Sequence, residues 1–124
     1  MKELVLVALG GALGAMARFK LSLALSGIVM ASAIPLGIVV VNTLGCLAAG
    51  ILLGVNERFR FLSGDAYAFL FAGVLGGFTT FSAFSVETLA LLRAGSWGSA
   101  VTYICLSVGL GLLAVWIGFV SLKS

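Results

Sequence analysis

Seven basic and four acidic residues are distributed so unevenly along this 124-residue chain that long stretches carry no charge at all. Residues 4–17, 21–56, 66–86 and 94–122 contain no Asp, Glu, Lys or Arg, and the second of these stretches runs for 36 residues. A helix that crosses a bilayer needs about 20 apolar residues, so a 36-residue stretch holds more than one element. Ser26, Gly27, Ser32 and above all Pro35 mark the break within it. Proline suits the first turn of a helix, where its missing N–H costs nothing. The expected fold is an all-α integral membrane protein. Residues 1–124 form a single four-span membrane domain, with spans at about 4–25, 35–55, 66–92 and 97–122. Helices are expected because every backbone N–H and C=O must be paired inside lipid. A closed barrel would need alternating polarity and many more strands. The first span does not read as a cleaved leader, since it starts with one Lys, carries Arg18 and precedes three further spans.

Composition excludes several classes of function. Hydrophobic residues make up 62% of the chain and charged residues 9%, against about 45–50% and about 25% in soluble domains. A soluble globular enzyme and a disordered chain are both ruled out. A net charge of +3 from scattered cations makes no phosphate-tracking patch, so nucleic acid is not a partner. There is no His, which removes His-based zinc sites and His general bases. Cys46 and Cys105 lie in apolar stretches without CxxC spacing and read as small hydrophobes. No catalytic residue is expected, and the chain is not read as an enzyme.

The basic residues divide almost evenly between the two ends of such a bundle. Lys2, Arg58, Arg60 and Lys123 fall on one side, and Arg18, Lys20 and Arg93 on the other. Four against three is a weak bias under the positive-inside rule. Insertion in both orientations, and hence an antiparallel homodimer, is one reading. A small margin for one orientation, or a partner subunit that decides it, is the other. Glycines at four-residue spacing (Gly10 and Gly14, Gly50 and Gly54, Gly73 and Gly77) suit close helix packing in lipid. Residues 109–114 match a GxGxxA pattern but lie mid-span, not after a strand, and make no nucleotide loop.

The third span contains Gly76-Gly77-Phe78-Thr79-Thr80-Phe81-Ser82-Ala83-Phe84-Ser85-Val86-Glu87. Paired glycines and threonines weaken a continuous helix, so the third helix is expected to be broken near its middle. Interrupted spans expose carbonyl and amide groups that can form ion sites. A plain kink or a packing patch is the alternative. Phe81 and Phe84 fall on nearly one helix face, continued by Glu87, the one acid deep in a span. Glu87 is either functional or a structural hydrogen-bond acceptor. Asn42 in the second span should face protein or water. Ser99, Tyr103 and Ser107 follow one another at i+4 steps; they form a polar track, or each Ser bonds back to its own helix and Tyr103 anchors at the interface. Arg18 either snorkels to the headgroups or holds a vestibule positive. Thr80 and Ser82 complete a set of neutral donors. Such a set fits permeation by a small hard anion held by hydroxyls, amides and the positive edges of Phe rings. Four helices enclose little, so an oligomer, most economically a dimer, is implied.

With these motifs, and with Gly10-Gly11-Ala12-Leu13-Gly14-Ala15-Met16-Ala17-Arg18 and Pro35-Leu36-Gly37 followed by Val41-Asn42, the chain resembles the fluoride channel family (Fluc/CrcB) over almost its whole length. The resemblance implies a dual-topology antiparallel homodimer in the cell inner membrane, surrounded by lipid. It also implies two fluoride pathways, passive fluoride export and selectivity over chloride. Phe81 and Phe84 would be the family's phenylalanine box and Asn42 its pore asparagine. Tyr103 and Ser107 would be its fourth-helix polar track, and Thr80 a further pore hydroxyl. Arg18 and Glu87 would be structural or vestibule residues. A structural Na⁺ would be held by main-chain carbonyls of Gly76 and Thr79. Two positions depart from the family pattern. Ile38 stands where members often carry Thr, and Gly111 where they often carry Ser. The rival function is a small proton-coupled exporter of organic cations, which relies on an acid in the first span; here only Glu3 lies at that span's start.

Overall fold

The computed structural model describes residues 1–29 and 34–123, and no strand occurs among them. Helix α1 (Lys2–Val29) runs through Ser26 and Gly27 instead of ending at residue 25. The Ser26 hydroxyl donates to the Leu23 carbonyl at 2.7 Å, which absorbs its polarity within the helix. Ser32, the next residue expected to mark the break, lies outside the described residues. Pro35 stands one position before α2 (Leu36–Phe59), as its N-cap, not in its first turn. Helix α2 passes residue 55 and carries Glu57 and Arg58 in its last turn. Asn56 closes it: its carbonyl accepts from the Arg60 N–H, and its side-chain oxygen accepts from Leu62 N–H at 2.8 Å. Arg60 takes the left-handed conformation there, at φ 55°.

The third crossing is built in pieces. Helix α3 (Gly64–Tyr67) leads into a π-helical segment (Ala68–Leu75) and then α4 (Gly76–Phe78). Thr79 and Thr80 follow in extended conformation, at φ −84°, ψ 158° and φ −150°, ψ 123°. Helix α5 (Phe81–Arg93) completes the crossing, and α6 (Trp97–Leu122) follows a turn with Gly95 at φ 78°. Among the described residues, four helical stretches are long and apolar enough to cross a membrane: 2–26, 36–59, 64–93 and 97–122.

Packing joins these elements in two pairs. Helix α1 lies mainly against the π-helical segment and α4, and α2 lies mainly against α6. Glycine makes both seams possible. A methyl group on Gly77 would run into the Gly11 backbone, and one on Gly50 into the Val115 carbonyl. With no hydrophobic drive between helices in lipid, close backbone approach supplies the association. The core is thin: Tyr103 and Val41 are the largest fully buried side chains. Outward faces are apolar, with Leu9, Leu13, Met16, Val101, Val108 and Leu112 among the exposed residues. An exposed ion pair, Lys2 to Asp65 at 2.8 Å, ties the start of α1 to the start of the third crossing.

Candidate functional site

The two extended residues between α4 and α5 leave backbone groups without helical partners, and side chains from other crossings take up several of them. The Asn42 carboxamide lies against the peptide groups of Thr80. Its Nδ2 donates to the Thr80 carbonyl at 3.0 Å, and its Oδ1 accepts from the Thr80 N–H at 2.8 Å. From α1, Arg18 Nε donates to the Gly77 carbonyl at 3.2 Å. A cation there also faces the negative end of the preceding helical turns. Thr79 bonds back within its own segment, with both its N–H (3.0 Å) and its hydroxyl (2.9 Å) on the Leu75 carbonyl. Among the described residues, no backbone bond between segments reaches the carbonyls of Gly76, Phe78 or Thr79.

Thr80 is the N-cap of α5. Its hydroxyl accepts from the Ala83 N–H at 3.1 Å, an arrangement that satisfies one of the helix's orphan donors. The Thr80 and Ser82 hydroxyls also lie 3.2 Å apart. The first turn of α5 projects Phe81 and Phe84 with ring centroids 5.7 Å apart and planes inclined by 45°. Phe84 in turn lies 5.2 Å from the Tyr103 ring of α6. The Tyr103 hydroxyl donates to Glu87 Oε2 at 2.7 Å, one turn further along α5.

These elements surround a groove of about 290 Å³ lined by Asn42, Cys46, Thr79, Thr80, Phe81, Phe84, Ser107 and Val108. None of the lining side chains is charged. Ser107 lines the groove, and its buried hydroxyl oxygen has no hydrogen-bond partner among the described residues. The groove is open on one side, and Phe81 is 79% exposed in the single chain.

Most of the residues singled out from the sequence fall into three positions, and Gly76 stands apart from them at the start of α4. Asn42, Thr79, Thr80, Phe81, Phe84 and Ser107 line the groove. Tyr103 and Glu87 do not; they pair with each other behind Phe84. Arg18 also stands outside it, against Gly77. Cys46 and Val108 line the groove without having been singled out. Their signal is helical spacing: Cys46 lies four residues after Asn42, and Val108 follows Ser107. Ile38, at a position expected to be polar, is buried at 8% exposure, and Gly111 lies against the Cys46 thiol.

Comparison with known proteins places these features in context. The family described as CrcB-like protein, Camphor Resistance (CrcB), matches residues 5–119. A protein named fluoride-specific ion channel FluC from Methylobacillus flagellatus is 46% identical over 99% of this chain and 96% of its own length. One of the same name from Thermus thermophilus is 44% identical over 96% of this chain and 94% of its own. Another from Azobacteroides pseudotrichonymphae is 39% identical over 97% and 95%.

Proposed function

Because the chain belongs to the CrcB family, we propose that it is a fluoride-selective channel giving passive fluoride export across the cell inner membrane. In this reading it works as an antiparallel homodimer with two pores. The observation that carries the reading is the groove at the interrupted third crossing, walled by two Phe rings, hydroxyls and an amide and by no charged side chain. A fixed cation in that wall would trap an anion, whereas neutral donors replace its hydration and still release it. The inclined rings of Phe81 and Phe84 offer positive edges. The Ser107 O–H and the Thr80–Ser82 hydroxyl pair offer further steps. Tyr103, held by Glu87, backs the Phe84 ring and fixes the width of the path.

A second copy supplies the missing wall. The accessible surface of one chain is 7395 Å², against roughly 6,200 Å² for a compact monomer of this mass. The excess of about 1,200 Å² reflects the exposed apolar helix faces, which a second copy and lipid would cover. The near balance of basic residues at the two ends supports insertion in both orientations.

A structural Na⁺ fits the donor chemistry of the interruption. Na⁺ takes oxygen ligands of the kind that unwound carbonyls provide, and Gly76 and Thr79 offer two that are not already engaged. Two copies would offer four. Bound there, the ion would neutralise facing carbonyl dipoles and join the subunits. Purified protein in fluoride-loaded liposomes should release fluoride electrogenically and leave chloride in place. Silence toward fluoride, or proton-coupled uptake of a dye cation, would sink the reading.

A further inference from the structure

The turn that closes α2 places an arginine where backbone geometry favours glycine. Arg60 stands at φ 55°, ψ 42°, and among the described residues it is the one non-glycine residue with positive φ. A side chain in the left-handed region crowds its own backbone, which glycine avoids. Helices commonly end on glycine for this reason. The chain is rich in glycine, with 17, yet this position carries Arg60. Asn56 holds the turn in place by accepting from the Arg60 and Leu62 N–H groups. Local strain of this kind persists where the surroundings enforce it and the side chain has a use.

The chain itself makes no use of that guanidinium. Among the described residues the one ion pair is Lys2 to Asp65, so Glu57 holds neither Arg58 nor Arg60. The Arg60 side chain also has no hydrogen-bond partner there. Arg58 lies 5.2 Å over the Phe59 ring. Phe59 and Phe61, the neighbours of Arg60, are 65% and 38% exposed. The segment ends the crossing at 36–59, at the depth where amphipathic rings meet lipid headgroups. Guanidinium groups match phosphate oxygens in a two-pronged geometry. We propose that residues 58–61 bind the headgroup phosphate of an anionic phospholipid, with Arg60 as the main contact and Phe59 and Phe61 lying against the lipid beside it. The net charge of such a lipid complements the two free guanidinium groups, whereas a zwitterionic headgroup carries its own cation. This inference depends on the membrane crossing alone and stands apart from fluoride conduction.

Arg60→Gly makes the test sharp, because it should act in opposite directions. It relieves the left-handed side chain, so the melting temperature in neutral detergent should rise. It also removes the guanidinium, so the extra stabilisation by phosphatidylglycerol over phosphatidylcholine in mixed micelles should shrink. The half-maximal phosphatidylglycerol concentration should increase about fivefold, the loss expected for one basic residue at an anionic surface. Arg60→Gln keeps the strain and removes the charge, so it should lose the lipid response without the basal gain; it also decides the matter should the Gly variant fail to fold. Inorganic phosphate should stabilise the wild-type protein far less than phosphatidylglycerol does. A wild-type response equal for the two lipids, an undiminished phosphatidylglycerol response in Arg60→Gly or Arg60→Gln, or an equal response to inorganic phosphate would overturn the inference. So would a lower melting temperature of Arg60→Gly in detergent alone.

Discussion

Replacing Tyr103 by Phe leaves the Glu87 carboxyl group without its 2.7 Å donor, in a part of the bundle where Tyr103 itself is fully buried. A fully buried polar group left without a partner costs about 1–3 kcal/mol, and Glu87, half-buried, falls toward the low end of that range. Tyr103→Phe should therefore lower the melting temperature measurably, and Glu87→Gln, which keeps an acceptor oxygen, should lower it less than Glu87→Ala. Phe81→Ile and Phe84→Ile remove the ring edges and keep apolar bulk. Both should abolish fluoride release from liposomes while the protein still elutes and melts as a folded species; unchanged release would show that the rings do not form the path. At this scale the sequence was informative about residue type and less so about partners. Its polar residues stood out because each lacks an excuse in an apolar span, which is why Asn42, Thr80 and Ser107 were legible as groove residues. That the Asn42 amide lies against Thr80, or Arg18 against Gly77, could not be read, because helical spacing within one span says nothing about which span it faces.

Glycine seams operate at the scale of whole helices. Gly77→Ala would push its methyl into the Gly11 backbone, whereas Gly109 has open space around it. Overpacking of this kind costs about 1–3 kcal/mol, so Gly77→Ala should be clearly less stable than wild type and Gly109→Ala nearly neutral in thermal denaturation. The four-residue spacing of Gly10, Gly14, Gly73 and Gly77 announced this seam in advance, since only small residues allow such approach in lipid. The π-helical winding of Ala68–Leu75 had no such signal. Those eight residues are apolar or small throughout, so no polar period betrays how many fall in each turn. Ser26 bonds to its own helix and does not interrupt it, so α1 continues to Val29.

Across the whole molecule, the weak charge asymmetry becomes a prediction about insertion. Lys substitutions at Ser96 and Gly98 would add cations at the end that carries Lys20 and Arg93, and so should drive the chain toward one orientation. Impermeant-reagent labelling of a cysteine introduced near residue 62 should change from both sides of the membrane to one, and fluoride flux should fall as antiparallel pairs are lost. One-sided labelling of the unmodified chain would count against dual insertion. The two packed pairs carry a further consequence for synthesis. The first crossing associates with the third and the second with the fourth, so the pairs are interleaved along the chain. When the second span leaves the ribosome neither it nor the first has met its main partner. The glycine stripe of α2 gains its mate only when α6 has been translated. A message cut short before α6 therefore yields a chain with an unsatisfied stripe, an obvious target for membrane proteolysis, and the groove that Ser107 and Val108 help to line cannot form until α6 has been made.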